Sequence, residues 1–139
     1  MRVVLDSSVL IAAWVSRAGV CAQLYEDVVE HHDLYVSTWI LEEFSRNLRR
    51  KLLMPDRLVR TASRALERAS TVVTPADIPP GECRDPNDLP ILGSAAAAHA
   101  HALVTVDDDL LSLGRHRDTV ILRPAAFWKL APPPARPSR

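Results

Sequence analysis

The segment Val3-Val4-Leu5-Asp6 is a short apolar run that ends in an acid, and the segment Leu103-Val104-Thr105-Val106-Asp107 repeats that pattern late in the chain. Brief, continuous runs of branched apolar residues are typical of parallel strands buried on both faces of a sheet. Parallel α/β sheets bind their ligands at the carboxyl ends of their strands. The two segments therefore predict a parallel sheet with Asp6 and Asp107 at its functional edge.

Outward from these two segments, strands alternate with helices. We predict five strands, at residues 2–5, 34–36, 71–73, 102–106 and 119–122. Apolar residues at helical spacing predict helices near residues 7–18, 20–31, 38–52, 56–70, 88–102, 108–113 and 124–130. This alternation predicts βαβ units. The expected fold class is a three-layer α/β/α domain with a central, mostly parallel five-stranded sheet.

Length and composition set the class of protein. The chain has 139 residues, of which 47% are apolar and 24% charged, and its net charge is zero. These values suit one globular domain and exclude a protein that binds nucleic acid through bulk positive charge. We expect residues 1–131 to form that domain and the Pro- and Arg-containing residues 132–139 to be a disordered tail.

The sequence also bears on location. No apolar stretch approaches the roughly 20 residues that span a bilayer, and the start of the chain lacks the pattern of a signal peptide. Cys21 and Cys83 lie too far apart for a CxxC motif, so we expect two free thiols. A cytoplasmic protein without a membrane partner is the expectation.

Four acids are the candidate chemical groups. Asp6 and Asp107 follow strands, Glu43 lies early in a predicted helix, and Asp88 follows a Pro-rich loop; Asp85 and Asp109 are nearby. Carboxylates brought together repel one another unless they take up protons or a cation. Hard oxygen ligands favour Mg²⁺ or Mn²⁺, and such sites hydrolyse phosphodiesters. Each acid alone also has a structural interpretation, as a helix cap or a solvated residue.

Four motifs carry a family resemblance over about residues 2–130. They are Val-Val-Leu-Asp6-Ser-Ser-Val-Leu-Ile, Ser37-Thr-Trp-Ile-Leu-Glu-Glu43-Phe, Arg84-Asp-Pro-Asn-Asp88-Leu-Pro-Ile-Leu and Leu103-Val-Thr-Val-Asp107-Asp-Asp109-Leu-Leu. In their order and spacing they resemble the PIN domain family, and within it the VapC-like toxin nucleases of bacterial toxin–antitoxin pairs. The sequence departs from the subgroup at Val106, where glycine is common, and at the Ser-Ser that follows Asp6.

The resemblance implies an endoribonuclease that depends on Mg²⁺ or Mn²⁺ and leaves a 5′-phosphate and a 3′-hydroxyl. Carried over by position, it implies that the catalytic, metal-binding acids are Asp6, Glu43, Asp88 and Asp107. Asp109 would assist in metal binding, and Ser7 and Thr105 would be auxiliary hydroxyls near the metal or phosphate. It also implies a small antitoxin partner and a homodimer.

Two other functions remain open. One is a PIN-fold module that binds proteins and has weak or no nuclease activity. The other is a phosphoacceptor domain with an acidic pocket, although Lys51 and Lys129 are poorly placed for the lysine that such a site needs. A cleavage assay with divalent metal discriminates between these functions and the nuclease.

Basic residues are concentrated in residues 46–68, which hold eight basic residues and two acids. Four of them, called here the arginine stripe, share one face of a predicted helix: Arg57, Arg60, Arg64 and Arg68. They are candidates for RNA binding through phosphate contacts. A solvated helix face and a docking face for an acidic partner are the alternatives.

Overall fold

In the computed structural model, which describes residues 1–131, six strands form one sheet in the order β3-β2-β1-β4-β6-β5. The strands are β1 (Arg2–Leu5), β2 (Asp33–Ser37), β3 (Thr71–Val73), β4 (Ala102–Val104), β5 (Arg115–His116) and β6 (Thr119–Leu122). The helices are α1 (Ser7–Val15), α2 (Val20–His31), α3 (Thr38–Arg50), α4 (Asp56–Ala69), α5 (Leu89–Ala97), α6 (Asp108–Leu111) and α7 (Phe127–Leu130). The architecture is the predicted three-layer α/β/α fold with a mostly parallel sheet.

The sheet has six strands where the sequence predicted five. The additional strand, β5, pairs antiparallel with β6 at the sheet edge, with His116 opposite Thr119. It is two residues long and polar, so it gives no apolar run to detect. Arg117, between the two strands, adopts a left-handed backbone with φ 54°.

The centre of the sheet supplies the core. Val3, Val4 and Leu5 of β1 and all three residues of β4 are buried, as expected for strands covered by helices on both faces. Helix α3 adds Ile40, Phe44 and Leu48, which recur every four residues, to the same core, and it contacts β2, α1 and α5. This packing holds the helix that carries Glu43 beside α1 and α5, the helices that follow Asp6 and Asp88.

Some predicted boundaries are wrong, and so in part is the buried face that apolar spacing predicts for residues 56–70, at Leu58, Ala62, Ala65, Leu66 and Ala69. The strand predicted to reach residue 106 ends at Val104, and the helix predicted to reach residue 102 ends at Ala97. On α4, the buried residues are Val59, Ala62 and Leu66, whereas Leu58 and Ala65 are exposed.

Gly93 brings the Pro-rich loop close to helix α5. The Ala76 N–H donates a hydrogen bond to the Gly93 carbonyl at 2.9 Å, and a Cβ at position 93 would collide with the Ala76 carbonyl oxygen. Only glycine allows that approach. The loop that leads to Asp85 and Asp88 is thereby held against the helix that follows them.

Within residues 1–131, no single helix is long and apolar enough to cross a membrane; α1 and α2 reach that length and composition only together, across a bend of 107°. Cys21 and Cys83 are free thiols. The tail predicted at residues 132–139 lies outside the described residues.

Candidate metal centre

Two adjacent parallel strands position the first pair of acids. Asp6 follows β1 and Asp107 comes three residues after β4, and the two strands are paired with Leu5 opposite Val104. Each acid also begins a helix: the Ser7 N–H donates to Asp6 Oδ1 at 2.7 Å, and the Leu110 N–H donates to Asp107 Oδ1 at 3.1 Å. The capping interpretation of Asp6 is therefore correct, and Asp107, whose structural interpretation was a solvated turn, also caps a helix. These hydrogen bonds orient both carboxylates at the sheet edge.

Helices α3 and α5 supply the second pair. Glu43 lies in α3, and Asp88 ends the 3₁₀ turn before α5. The two helices are tied together where the Ser94 hydroxyl lies 2.6 Å from Ser37 Oγ, and Ser37 Oγ in turn accepts a hydrogen bond from the Ile40 N–H at 3.1 Å. This buried contact fixes the start of α3 relative to α5, and so Glu43 relative to Asp88.

The four predicted acids line a single cleft of about 420 Å³, called here the acidic cleft. Its other lining residues are Ser7, Ser8, Trp39, Arg46, Asn87, Ile91 and Val106. The structure therefore brings together acids that are up to 101 positions apart in the sequence, from Asp6 to Asp107. The predicted auxiliary Ser7 lines the same cleft, with its Oγ 3.5 Å from Asp6 Oδ1.

Thr105 joins two of the acids. Its hydroxyl donates to Asp6 Oδ2 at 2.8 Å and accepts a hydrogen bond from the Asp107 N–H at 3.0 Å. Thr105 is fully buried, and its hydrogen bond to Asp6 is shielded from water. The predicted auxiliary residue thus orients Asp6 directly and holds the backbone at Asp107.

Two carboxylate oxygens in the acidic cleft are buried without a partner. Among residues 1–131, Glu43 Oε2 and Asp88 Oδ2 accept no hydrogen bond and are closed to solvent. A buried, unsatisfied acceptor is costly and rare in folded proteins. Oxygens that lack donors and face other carboxylates are suited to bind a cation.

Burial and neighbouring negative charges raise the pKa of Asp6 and of Asp88. Burial raises the pKa of Asp6, and the carboxylates of Glu43 and Asp107 raise it further, against the lowering effect of the Thr105 hydroxyl and the Ser7 N–H. Burial also raises the pKa of Asp88 to about 7, with further increases from Asp107, Asp85, Asp6 and Asp109. A bound divalent cation would favour the ionised form of both groups.

The donor set fits a hard divalent cation. The acidic cleft offers carboxylate and hydroxyl oxygens and no cysteine or histidine, which is the ligand type that Mg²⁺ and Mn²⁺ prefer. Asp6, Glu43, Asp88 and Asp107 would hold such an ion.

Asp109 is placed differently from the four acids. It is not among the residues that line the acidic cleft. One of its oxygens lies within 4.8 Å of oxygens of Asp85 and Asp88, and its Oδ1 is 3.8 Å from the exposed Arg84.

The arginine stripe lies on the exposed side of α4, and none of its four residues lines the acidic cleft. The arginine that does so is Arg46, on α3, one turn beyond Glu43. Arg46 also lines a groove of about 530 Å³ between α3 and α4, together with Arg49 and Arg50. Sequence reasoning counted Arg46 among the basic residues but missed its position; the signal was its spacing of three from Glu43 on one helix.

Comparisons with known proteins give a matching family and a similar fold. The family model described as "PIN domain" matches residues 2–109. The fold is similar to a chain in the crystal structure of VapBC2 from Rickettsia felis bound to a DNA fragment from their promoter, with a TM-score of 0.63 and 13% sequence identity over 87% of this chain and 97% of that chain. At this identity the likeness concerns the fold alone. No curated protein matches the sequence.

Proposed function

The chain belongs to the PIN domain family, and from this membership we propose that it is an endoribonuclease that depends on Mg²⁺ or Mn²⁺ and serves as the toxin of a toxin–antitoxin pair. The observation that carries the proposal is the convergence of Asp6, Glu43, Asp88 and Asp107 on one cleft. Two unpaired, buried carboxylate oxygens in that cleft support a role in binding a cation rather than in capping alone.

The side chains in and around the acidic cleft have different roles in the proposed RNA hydrolysis. When bound, the divalent ion supplies positive charge against the phosphate oxygens and favours ionisation of the attacking water. The four carboxylates hold that charge in place. Thr105 keeps Asp6 oriented through its 2.8 Å hydrogen bond, and Ser7 lies beside the same carboxylate. Arg46, at the mouth of the acidic cleft, supplies a fixed positive charge for a phosphate next to the scissile one.

The direct test is Asp6→Asn. We expect it to lower metal-dependent cleavage of single-stranded RNA by at least about 100-fold, since even residues that only support a metal ligand are worth roughly 10- to 100-fold. The amide keeps the size of the side chain, so circular dichroism should show an unchanged fold. Asp108→Asn is the matched control, because Asp108 is exposed and paired with Arg123 at 3.1 Å. Full activity of Asp6→Asn would refute the assignment.

The partners follow from the same family membership. We propose a small antitoxin that binds and inhibits this protein in the cytoplasm, supported by the similarity to a chain of the VapBC2 complex. Co-expression with the product of the neighbouring reading frame should yield a co-purifying complex that does not cleave RNA. If the toxin stays active in every such complex, inhibition by this partner is wrong.

The protein-binding module is the alternative within the same fold. It predicts that the purified protein binds a partner yet leaves RNA intact in Mg²⁺ and in Mn²⁺. The four acids and two unpaired oxygens favour the nuclease over this alternative. Neither Lys51 nor Lys129 lines the acidic cleft, which also disfavours a phosphoacceptor site.

A further inference from the structure

Helix α3 and the Pro-rich loop line a groove of about 430 Å³ beside the acidic cleft, called here the proline groove. Its walls include Trp39, Asp77, Ile78 and three proline rings, those of Pro75, Pro86 and Pro90. We propose that the proline groove binds a single unpaired nucleobase, guanine by preference, which stacks on Trp39 and is read by Asp77. This inference deepens the proposed function and rests on it, because it names the base beside which the RNA is cut.

Trp39 connects the proline groove to the acidic cleft. It is the second residue of α3, and Glu43 follows it by four positions, so both side chains lie on one face of the helix. The indole packs against the core, stays partly exposed and lines both cavities. A nucleotide whose phosphate lies in the acidic cleft can therefore place its own base or the next one on the indole. Aromatic side chains are the usual stacking surface for unpaired bases.

The walls of the proline groove are held in place by buried contacts. The Ala76 N–H donates to the Gly93 carbonyl at 2.9 Å, which ties the loop wall to α5. The Ser94 hydroxyl lies 2.6 Å from Ser37 Oγ, which ties α5 to the start of α3, two residues before Trp39. A base that enters the groove does not have to order these segments, so less of the binding free energy is lost.

Asp77 is the charged residue of the proline groove. The prolines lack a backbone N–H, so their rings offer apolar surface and no donor. The Asp77 side chain is exposed, and none of the ion pairs within residues 1–131 uses its carboxylate. An ionised carboxylate only accepts hydrogen bonds. The groove is therefore suited to a flat ligand that stacks on one face and presents donors at its edge.

Guanine is the base that meets both conditions best. Its Watson–Crick edge presents the N1–H and the N2 amino group side by side, and the two oxygens of a carboxylate can accept from both. Adenine and cytosine present an amino group beside an unprotonated ring nitrogen, which a carboxylate repels. In uracil the N3–H lies between two carbonyl oxygens. Proteins read single-stranded RNA along this edge, and a bidentate pair discriminates between bases by at least about fivefold.

The first experiment compares the cleavage of two short single-stranded RNAs by the full chain in Mg²⁺ or Mn²⁺: oligouridine, and the same oligomer with one central guanosine. The wild type should cleave beside the guanosine at least about fivefold faster than within oligouridine. Asp77→Asn should abolish this preference by slowing cleavage of the guanosine RNA. Asp118→Asn is the matched control, because Asp118 is an exposed aspartate in the turn between β5 and β6, and it should keep the preference.

The second experiment needs no cleavage and uses tryptophan fluorescence in the Asp6→Asn background. Stacking of the guanine should quench part of the emission when the guanosine RNA binds. Trp39→Phe should keep the affinity and lose the quenching, whereas Trp39→Leu should weaken binding about 5- to 100-fold. Trp14 lines neither cavity, so Trp14→Phe should keep both the affinity and the quenching.

The outcomes separate the guanine site from the nuclease. Equal cleavage of both RNAs, unchanged in Asp77→Asn, overturns the guanine site while the proposed function stands. Quenching that persists in Trp39→Phe overturns stacking on that residue. If the wild type cleaves no RNA, the proposed function fails, yet quenching that needs both the guanosine and Trp39, with weaker binding in Asp77→Asn, supports the guanine site.

Discussion

Asp88 is a buried acid surrounded by acids, and this makes the stability of the metal-free protein depend on pH. Its pKa rises from 3.8 to about 7 on folding, mainly through burial and then through Asp107. Between these values the folded state holds a proton that the unfolded state has lost. The contribution of Asp88 to stability is therefore fully present below about pH 4 and is lost as the pH rises through about 7.

Asp88→Asn should remove this dependence. In metal-free buffer the variant should exceed the wild type in free energy of unfolding by an amount that grows from pH 4 to 8 and reaches on the order of 2–4 kcal/mol. Urea unfolding across that pH range measures the difference. The profile of the exposed-site control Asp108→Asn should follow that of the wild type. A difference between Asp88→Asn and wild type that stays constant with pH contradicts the assignment.

Thr105 supports the acidic cleft without lining it. Thr105→Val removes the donor to Asp6 and the acceptor for the Asp107 N–H while keeping the side chain's volume. We expect unfolding free energy to fall by about 1–3 kcal/mol and RNA cleavage to fall about 10- to 100-fold.

Thr119→Val separates these two effects. Thr119 is also buried and donates to the Ala100 carbonyl at 2.7 Å, but it lies outside the acidic cleft. This control should lose stability in unfolding experiments and keep its cleavage rate. Equal losses of cleavage in both variants would mean that Thr105 acts on stability alone.

At this scale the apolar runs before Asp6 and Asp107 predicted that these two acids would share one edge of the sheet. The family resemblance supplied the roles of Glu43, Asp88, Ser7 and Thr105, and the structure brings the four acids together in one cleft. The sequence did not predict that Arg46 lines the acidic cleft or that one Asp88 oxygen lacks a hydrogen-bond partner. Both depend on how α3 and α5 are rotated and packed, which helical periodicity does not specify closely enough.

At the scale of secondary-structure elements, the contact between α5 and the Pro-rich loop depends on a single residue, Gly93. Alanine at position 93 would normally strengthen a helix by about 1 kcal/mol. Here the added Cβ meets the Ala76 backbone, so Gly93→Ala should lower the free energy of unfolding by about 1–3 kcal/mol. Thermal unfolding is the measurement. Gly19→Ala is the control, since its Cβ would meet the Ser16 hydroxyl at 3.2 Å, which can rotate away. A Gly93→Ala variant as stable as the wild type would contradict the close approach.

Two basic helices, α3 and α4, are the candidate surfaces for contacts with the RNA backbone. Arg46 adjoins the acidic cleft, whereas the arginine stripe lies on α4 outside it. In an Asp6→Asn background, which we expect to bind RNA without cleaving it, Arg46→Gln should weaken binding about threefold to tenfold. It should also reduce the slope of log affinity against log salt by about 0.7. Fluorescence anisotropy across a salt series measures both values.

Arg57→Gln makes the same charge change on the arginine stripe and serves as the matched control. A larger loss from Arg57→Gln than from Arg46→Gln would place the RNA on α4 instead of α3.

Elements with a strong apolar period were predicted well, and weak ones were not. Strand β1 and helix α3 have continuous or periodic apolar residues and were found where expected. Strand β5 is held only by its pairing with β6, and the end of α5 depends on the left-handed His99, with φ 47°. Pairing with a distant strand determines β5, and the left-handed backbone of His99 determines the end of α5. Neither leaves an apolar pattern in the sequence.

At the scale of the whole molecule, we propose that the homodimer implied by the family resemblance forms around the turn from α1 to α2. Trp14, Val15 and Val20 are exposed apolar residues there, and Val15 is 59% exposed. Val15→Glu should shift the protein toward monomer by at least tenfold in dissociation constant, measured by light scattering after size exclusion. Leu53→Glu alters an equally apolar, 81% exposed residue elsewhere and should leave the dimer intact. Dissociation by Leu53→Glu alone would place the interface elsewhere.

The order of strands is a property of the whole molecule that the local pattern left open. The sequence predicted a parallel sheet but did not determine that β1 lies between β2 and β4. That order places Asp6 near Asp107, because β1 and β4 pair in parallel with Leu5 opposite Val104. The sequence therefore predicted that the acids would cluster, but their relative positions in the cleft could be read only from the structure.

The hydrogen bond from Thr105 to Asp6 spans 99 residues. On the ribosome, Asp6 therefore gains the Thr105 hydroxyl and the neighbouring Asp107 only after the ribosome has synthesised about 100 further residues. A nascent chain interrupted before Thr105 would lack the complete cation pocket, however well its first helices had formed. The chain therefore completes the acidic cleft only after the ribosome has synthesised the segment that contains Thr105 and Asp107.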